Sequence, residues 1–282
     1  MSTGTKLFLD VISRNPLSRT VGRIAGTSYP KPVLRAAISL YCKAYGVNVD
    51  EARLKVSDFN TFNEFFTREL ADGLRPIDVD ANVVVSPVDG VLLNYGKIGA
   101  SIEQIKGKTY SVADLLMDKK EAARLQGGTY ATIYLSPRHY HRIHCPDDGE
   151  IVGYTYVPGR LYPVNNLGLP NVDKIFAVNE RISTTIKSKR FGTIHVVKVG
   201  ATSVGSISVS YDNMRTNVAG MSSAQVRYGH PKPIGRGQEL GRFNLGSTVV
   251  LLIENTNLSL CAGCQPNGEI QMGQRLFNLP PQ

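Results

Sequence analysis

Gly241-Arg242-Phe243-Asn244-Leu245-Gly246-Ser247-Thr248-Val249-Val250-Leu251-Leu252-Ile253, residues 241–253, ends in an apolar run from Thr248 that reads as a buried strand. Upstream, short β-rich runs separated by Gly, Pro, Asn and Asp occupy 83–85, 91–93, 130–135, 151–156, 193–199 and 206–210. One further helix is expected at 111–116, continuing over 119–125. From residue 83 onward the texture is therefore that of a β-rich body.

Ahead of that body the periodicity is helical. Asn15 reads as a helix cap with Pro16 in the first turn, and Leu17, Val21 and Ile24 then share one face, with Arg19 and Arg23 nearly opposite. Leu34, Ala37, Ile38, Tyr41 and Tyr45 follow at helical spacing, flanked by Arg35 and Lys43. Apolar stripes edged by basic residues suit an anionic membrane interface, and they equally suit packing on the body. Thr61-Phe62-Asn63-Glu64 is a capping box opening a helix that carries Phe65, Phe66 and Leu70, and Arg75-Pro76 closes the region. The expected fold class is α+β: N-terminal amphipathic helices over residues 1–76, then a β-rich body over 77–282.

The chain has 282 residues, enough for one elaborate domain or two small ones, and a formal charge of +9. Seven basic residues up to position 47 are opposed by Asp10 alone, so six of the nine charges sit at the N-terminus. An anionic partner is sought there first. Zinc-finger spacing, an RRM signature and a basic zipper are all missing, which leaves nucleic acid unsupported. No uncharged apolar run approaches the ~18 residues a spanning helix needs, so membrane contact is expected to be peripheral. Asp10 and Arg14 interrupt the early apolar stretch, against a signal peptide. Cys42, Cys145, Cys261 and Cys264 are too scattered for a disulfide scaffold, and Cys261-Ala-Gly-Cys264 reads as a turn with two free thiols.

A Gly-Ser step such as Gly246-Ser247 is by itself most often a turn. Gly235-Arg236-Gly237-Gln238-Glu239-Leu240-Gly241 has neither Rossmann spacing nor a Walker lysine and precedes a strand, so it reads as a flexible approach to that step. His139, His141 and His144 invite a metal reading, but strand alternation separates His144 from the other two. His195 and His230 have no motif around them.

Six stretches together carry a resemblance. They are Thr61 to Arg68, Ser86-Pro87-Val88-Asp89-Gly90, Tyr134 to His144, Phe176 to Arg181, residues 199–207, and Leu245-Gly246-Ser247-Thr248. In that order they are similar to the phosphatidylserine decarboxylase proenzymes. The resemblance implies that the chain cuts itself between Gly246 and Ser247 into chains 1–246 and 247–282, which stay together as a heterodimer, and that Ser247 becomes a covalent pyruvoyl cofactor. It assigns His144 as base for the cut, Asp89 as its orienting carboxylate, His141 as proton donor or acceptor in decarboxylation, and Tyr134 to the substrate pocket. A small residue before the serine fits attack by the hydroxyl on the preceding carbonyl, and a Ser, a His and an Asp are the minimum parts. One departure is His139, where family members often carry aspartate.

The implied reaction converts phosphatidylserine to phosphatidylethanolamine on an anionic membrane surface. The implied location is peripheral, on the cytoplasmic side of a bacterial inner membrane, or on the mitochondrial inner membrane in a eukaryote. Two alternatives remain at this stage: a pyruvoyl decarboxylase of a soluble amino acid, and an uncut lipid-binding homologue.

Overall fold

The computed structural model describes residues 3–202, 206–244 and 247–280. Four helices come first: α1 (Thr3–Ile12), α2 (Asn15–Gly26), α3 (Lys31–Tyr45) and α4 (Phe62–Phe66). The body opens with β1 (Val83–Val85), β2 (Gly90–Lys97), β3 (Ser101–Ile105) and β4 (Lys108–Ser111), then α5 (Val112–Leu116) and α6 (Lys119–Arg124). β5 (Thr129–Leu135), β6 (Arg142–His144) and β7 (Gly149–Val157) precede the short α7 (Ile175–Val178). Next come β8 (Arg181–Ser188), β9 (Gly192–Gly200), β10 (Ser206–Val209), β11 (Ala224–Ile234), β12 (Glu239–Asn244) and β13 (Ser247–Ile253). β14 (Ser259–Leu260), β15 (Glu269–Ile270) and β16 (Arg275–Asn278) finish the chain. The fold is α+β, as the sequence pattern implies.

The apolar run that follows the Gly-Ser step is an inner strand of the main sheet. Every residue of β13 is buried, and the strand pairs antiparallel with β5 on one edge and β9 on the other. The resulting eight-stranded sheet runs β11-β7-β8-β9-β13-β5-β2-β15. Side chains alternate, so Val249, Leu251 and Ile253 enter one core while Val250 and Leu252 enter the other. A strand covered on both faces has no polar side, which is why this stretch lacks alternation in sequence. The first face is covered by the small sheet β10-β12-β6, through Ile143, Ile207, Leu240 and Phe243, and by β1 and β16 through Val84 and Phe277. The second lies under the β3-β4 hairpin and the short helices, through Ile102, Tyr110, Leu115 and Phe176. Ser247 has the parity of Val249 and thus faces the layer that holds β6 and β12.

The capping box forms, with Thr61 Oγ1 accepting from the Glu64 amide at 3.1 Å and Glu64 Oε2 from the Asn60 amide at 2.7 Å. The helix it opens stops at Phe66, short of Leu70: the Thr67 amide still makes the helical bond to Asn63 O, but the Arg68 amide tightens onto Phe65 O and the i−4 ladder ends. Leu70 instead bridges Ala52. Asn15 is the first residue of α2 and not its cap, which is Arg14 with no side-chain bond, while Pro16 occupies the first turn.

The helical stripes divide between the two uses the sequence left open. α3 turns Leu34 and Ile38 inward against Phe59 and Phe65. α2 does the reverse, burying Ser18 and Ala25 while Leu17 and Ile24 remain exposed. Leu7, Phe8 and Val11 of α1 and Val33 and Leu40 of α3 are exposed as well. Among the described residues no helix is long and apolar enough to cross a membrane.

Double-edged pairing of β13 has a direct consequence. A chain cut between residues 246 and 247 keeps both neighbours of that strand, so the fragments are expected to co-elute in native size exclusion and to separate only in denaturant. Leu251→Ala is expected to remove about 2–5 kcal/mol of stability by opening a cavity at a fully buried position. A lowered urea midpoint checks it.

Candidate active site

Asp89 lies in the turn before β2, and its carboxylate is gripped by Arg75. Arg75 Nε reaches both oxygens at 3.0 Å, and Nη2 reaches Oδ2 at 2.7 Å. The backbone amide of Met272 donates to Oδ1 at 2.8 Å. The turn is stitched to the C-terminal segment by Ser86 N to Gln274 O and Gly273 N to Ser86 O, and to β6 by His144 N to Pro87 O. Arg75 also donates to Glu51 Oε2 at 3.0 Å, so one guanidinium ties the N-terminal region to the aspartate turn.

His144 takes its orientation from other groups. Its Nδ1 donates to Gly237 O at 2.8 Å, leaving Nε2 as the basic nitrogen, and Nε2 accepts from the Tyr140 hydroxyl at 3.1 Å. Burial holds His144 below the usual imidazole range, partly opposed by the Gly237 carbonyl and the Glu239 and Asp89 charges. Asp89 therefore acts on His144 through space, with Arg75 holding it directly. His141 repeats the same tautomer: Nδ1 donates to His139 O at 2.8 Å, and Nε2 is buried without a partner. Phe66 lies against its ring, centroid to centroid 4.0 Å. Burial pushes His141 down to about 3, with the Arg68 charge adding to the effect.

His139 behaves differently. Its Nδ1 accepts from the Ser136 amide at 2.9 Å and its Nε2 meets Glu269 Oε2 at 2.9 Å. The imidazole thus fills the acceptor role that a side-chain carboxylate would fill in such a turn. The three histidines engage separate partners, and no group of three metal-ligating side chains occurs among the described residues.

Ser247 opens β13 opposite Leu135 and Gly200, with its Oγ buried and unpartnered. Residue 246 lies outside the described residues. Asn244, the last described residue before the gap, accepts from Asn63 Nδ2 at 3.2 Å and donates to Ser206 Oγ at 3.0 Å. Helix α4 thereby reaches the approach to the serine. Tyr134 pairs with Thr248 and packs in the second core, on the sheet face opposite Ser247.

Several participants escaped the sequence reading. Arg75 read as the end of a helix, Gly237 as part of a flexible approach, and Tyr140 as a motif filler. A buried aspartate needs a cation, so an arginine near Asp89 was foreseeable in kind; which of 32 Lys and Arg residues supplies it was not.

The family profile for phosphatidylserine decarboxylase matches residues 62–278. A phosphatidylserine decarboxylase proenzyme of Brevibacillus brevis is 43% identical over 279 residues, covering 97% of this chain and 98% of its own length. The proenzyme of the same name from Myxococcus xanthus is 42% identical over 271 residues, covering 95% and 96%. One from Shewanella sp. strain MR-4 is 39% identical over 280 residues, covering 96% and 95%.

Neutral burial of His141 makes stability depend on pH. A histidine in the unfolded chain titrates near about 6.5, whereas the native ring resists protonation. Its contribution is complete above that pH and is lost as pH falls toward 3, at about 1.4 kcal/mol per unit. His141→Asn is expected to flatten the decline in urea stability between pH 6.5 and 5 by about that slope. Parallel profiles for the two proteins would mean that the native ring already carries its proton.

Proposed function

The chain belongs to the phosphatidylserine decarboxylase family, and from that premise we propose that Ser247, Asp89, His144 and His141 form its working site, with a pyruvoyl cofactor made from Ser247. The protein is an enzyme that decarboxylates phosphatidylserine. The observation that supports the site assignment is that Ser247 Oγ and His141 Nε2, which the motif resemblance also names, are both among the side-chain atoms buried without a hydrogen-bond partner. Leaving such atoms unbonded costs about 1–3 kcal/mol each, a strain that persists where chemistry needs them free.

In the proposed cut, Ser247 Oγ attacks the carbonyl carbon of Gly246, the peptide C–N bond breaks, and an ester joins the two residues. Loss of the Ser247 α-proton expels the Gly246 carboxylate, and water releases ammonia from the resulting dehydroalanine to leave the pyruvoyl terminus. His144 is the base: its Nδ1–H is fixed on Gly237 O, so Nε2 takes the serine proton once Tyr140 yields or relays it. Asp89 lends negative charge to the imidazolium from its place on Arg75.

The residues fit a pyruvoyl group at position 247, because the side chain it replaces makes no hydrogen bond and sits in a dry, strand-fixed position. Once formed, that group supplies a carbonyl for the substrate amine and an electron sink for the pair left by departing CO2. His141, neutral and walled by Phe66, excludes water, and its bare Nε2 takes the proton that the substrate ammonium gives up on binding and returns it to the substrate α-carbon after CO2 leaves. Tyr134, on the opposite sheet face, is proposed to shape the site only through its strand.

The two-part division at residue 76 and peripheral docking on the cytoplasmic face of an anionic membrane complete the reading. Exposed Leu7, Phe8, Leu17, Ile24 and Leu40 on the first three helices, amid the basic residues, support it.

Intact mass measurement of the purified protein beside Ser247→Ala is expected to give fragments 1–246 and 247–282, the smaller blocked at its terminus, and an uncut variant. An uncut wild-type chain would overturn the reading and favour a lipid-binding homologue. Turnover of phosphatidylserine vesicles without turnover of free aromatic amino acids separates the substrate classes. Replacing Phe8 and Leu40 together with Ser is expected to weaken binding to phosphatidylserine-containing vesicles by roughly tenfold or more while leaving the cut intact. Unchanged binding would remove the docking face.

A further inference from the structure

Arg68 is 3% exposed, two residues beyond α4. Its Nε has no hydrogen-bond partner, and no carboxylate of the described residues lies within ion-pair distance of it. Its guanidinium makes one bond at the outer limit of length, from Nη2 to Arg138 O at 3.5 Å, and lies 5.3 Å from the Phe65 ring centre. Glu51 and Asp89, the acids that act on it from a distance, are both held by Arg75.

Other buried arginines among the described residues have a carboxylate or several carbonyls on the guanidinium, although Arg236 Nε, like Arg68 Nε, is itself unbonded. Arg181 donates to the carbonyls of Leu115, Ala177, Asn179 and Asp114. Arg75 has Asp89, and Arg236 has Asp147. A guanidinium stays protonated where a lysine would neutralise itself, so Arg68 keeps its charge with the desolvation cost uncompensated. Its position is next to the chemistry: its charge reaches His141, and Arg138 belongs to the turn that leads into the histidine motif.

We propose that Arg68 binds the phosphodiester of the phospholipid headgroup, the anion that neutralises it when substrate enters. The inference rests on the phospholipid decarboxylase reading of the site. The substrate offers two anions, and the chemistry separates them. The carboxylate leaves as neutral CO2, so a fixed cation on it would stabilise the ground state more than the transition state and slow the reaction. The phosphodiester keeps its charge throughout, and an arginine fork matches its oxygens. It also lies between the glycerol, which stays with the bilayer, and the serine, which must reach Ser247. Arg68 has the matching place, between α3 and α4 on one side and the His141 turn on the other. That seam is fastened by the Tyr41 hydroxyl on Pro137 O at 3.2 Å.

The test compares wild type with Arg68→Met and Arg68→Lys, using glycerophosphoserine and free serine as soluble probes and phosphatidylserine in mixed micelles as substrate. Glycerophosphoserine is expected to raise the melting temperature of the wild type and not of Arg68→Met, and free serine to raise neither. Without probe, Arg68→Met is expected to melt at or above the wild type, since it removes an unpaired buried charge. Its KM is expected to rise about tenfold or more with kcat within roughly threefold, and the Lys variant to fall between. A fall in kcat at unchanged KM would place the cation on the carboxylate and overturn the proposal. So would equal stabilisation of the wild type by free serine, or a melting point far below wild type for both variants. Intact mass of the same preparations reports the self-cut independently, so an uncut wild type that still responds to glycerophosphoserine would count against the pyruvoyl reading and not against Arg68.

Discussion

The ion pair between Arg75 and Asp89 is the constraint on which the site depends. Both side chains are almost wholly buried, and a carboxylate so placed is tolerable only with a cation and further donors around it. Arg75 and the Met272 amide meet that need, and in doing so they join three distant segments. The aspartate turn brings Pro87 O to the His144 amide, so the position of β6 follows from how the carboxylate is satisfied. Met272 belongs to the smaller fragment of the proposed cut and Arg75 to the larger. The same contact therefore holds the fragments in register.

Desolvation sets the state of the imidazoles. His141 and His144 each give a ring N–H to a backbone carbonyl, which fixes the tautomer and leaves Nε2 free of its proton. Burial then keeps both rings neutral at the pH where carboxylates and amines are charged. A neutral imidazole with a fixed lone pair can accept a proton without first losing one. The serine gains from its place at the head of β13, where two neighbouring strands fix its backbone and the core excludes water.

The N-terminal helices show why an amphipathic stripe is ambiguous in sequence. α3 and α2 carry similar patterns, yet α3 packs its stripe on Phe59 and Phe65 while α2 turns Ser18 and Ala25 inward and leaves Leu17 and Ile24 outside. Hydrophobic spacing reports that a face exists; whether protein or lipid covers it depends on neighbours far along the chain. The same limit explains the short α4. Its capping box is local and formed as read, but its end is set where the Arg68 amide tightens onto Phe65 O and Leu70 bridges Ala52.

Local chemistry was legible in the sequence alone. The β-rich texture after residue 83, the buried strand after the Gly-Ser step, the paired helices at 111–125 and the capping box at Thr61 all follow from period and turn residues acting over a few positions. The proposed site residues were named through motif resemblance, which marks side chains and not their partners. Tertiary structure alone decided that Asp89 lies on Arg75, that Gly237 O and Tyr140 orient His144, and that Arg68 is buried without a counter-ion. Each of these joins groups whose separation along the chain carries no periodic signal, or turns on desolvation, which exists only once the sheets have closed over the site.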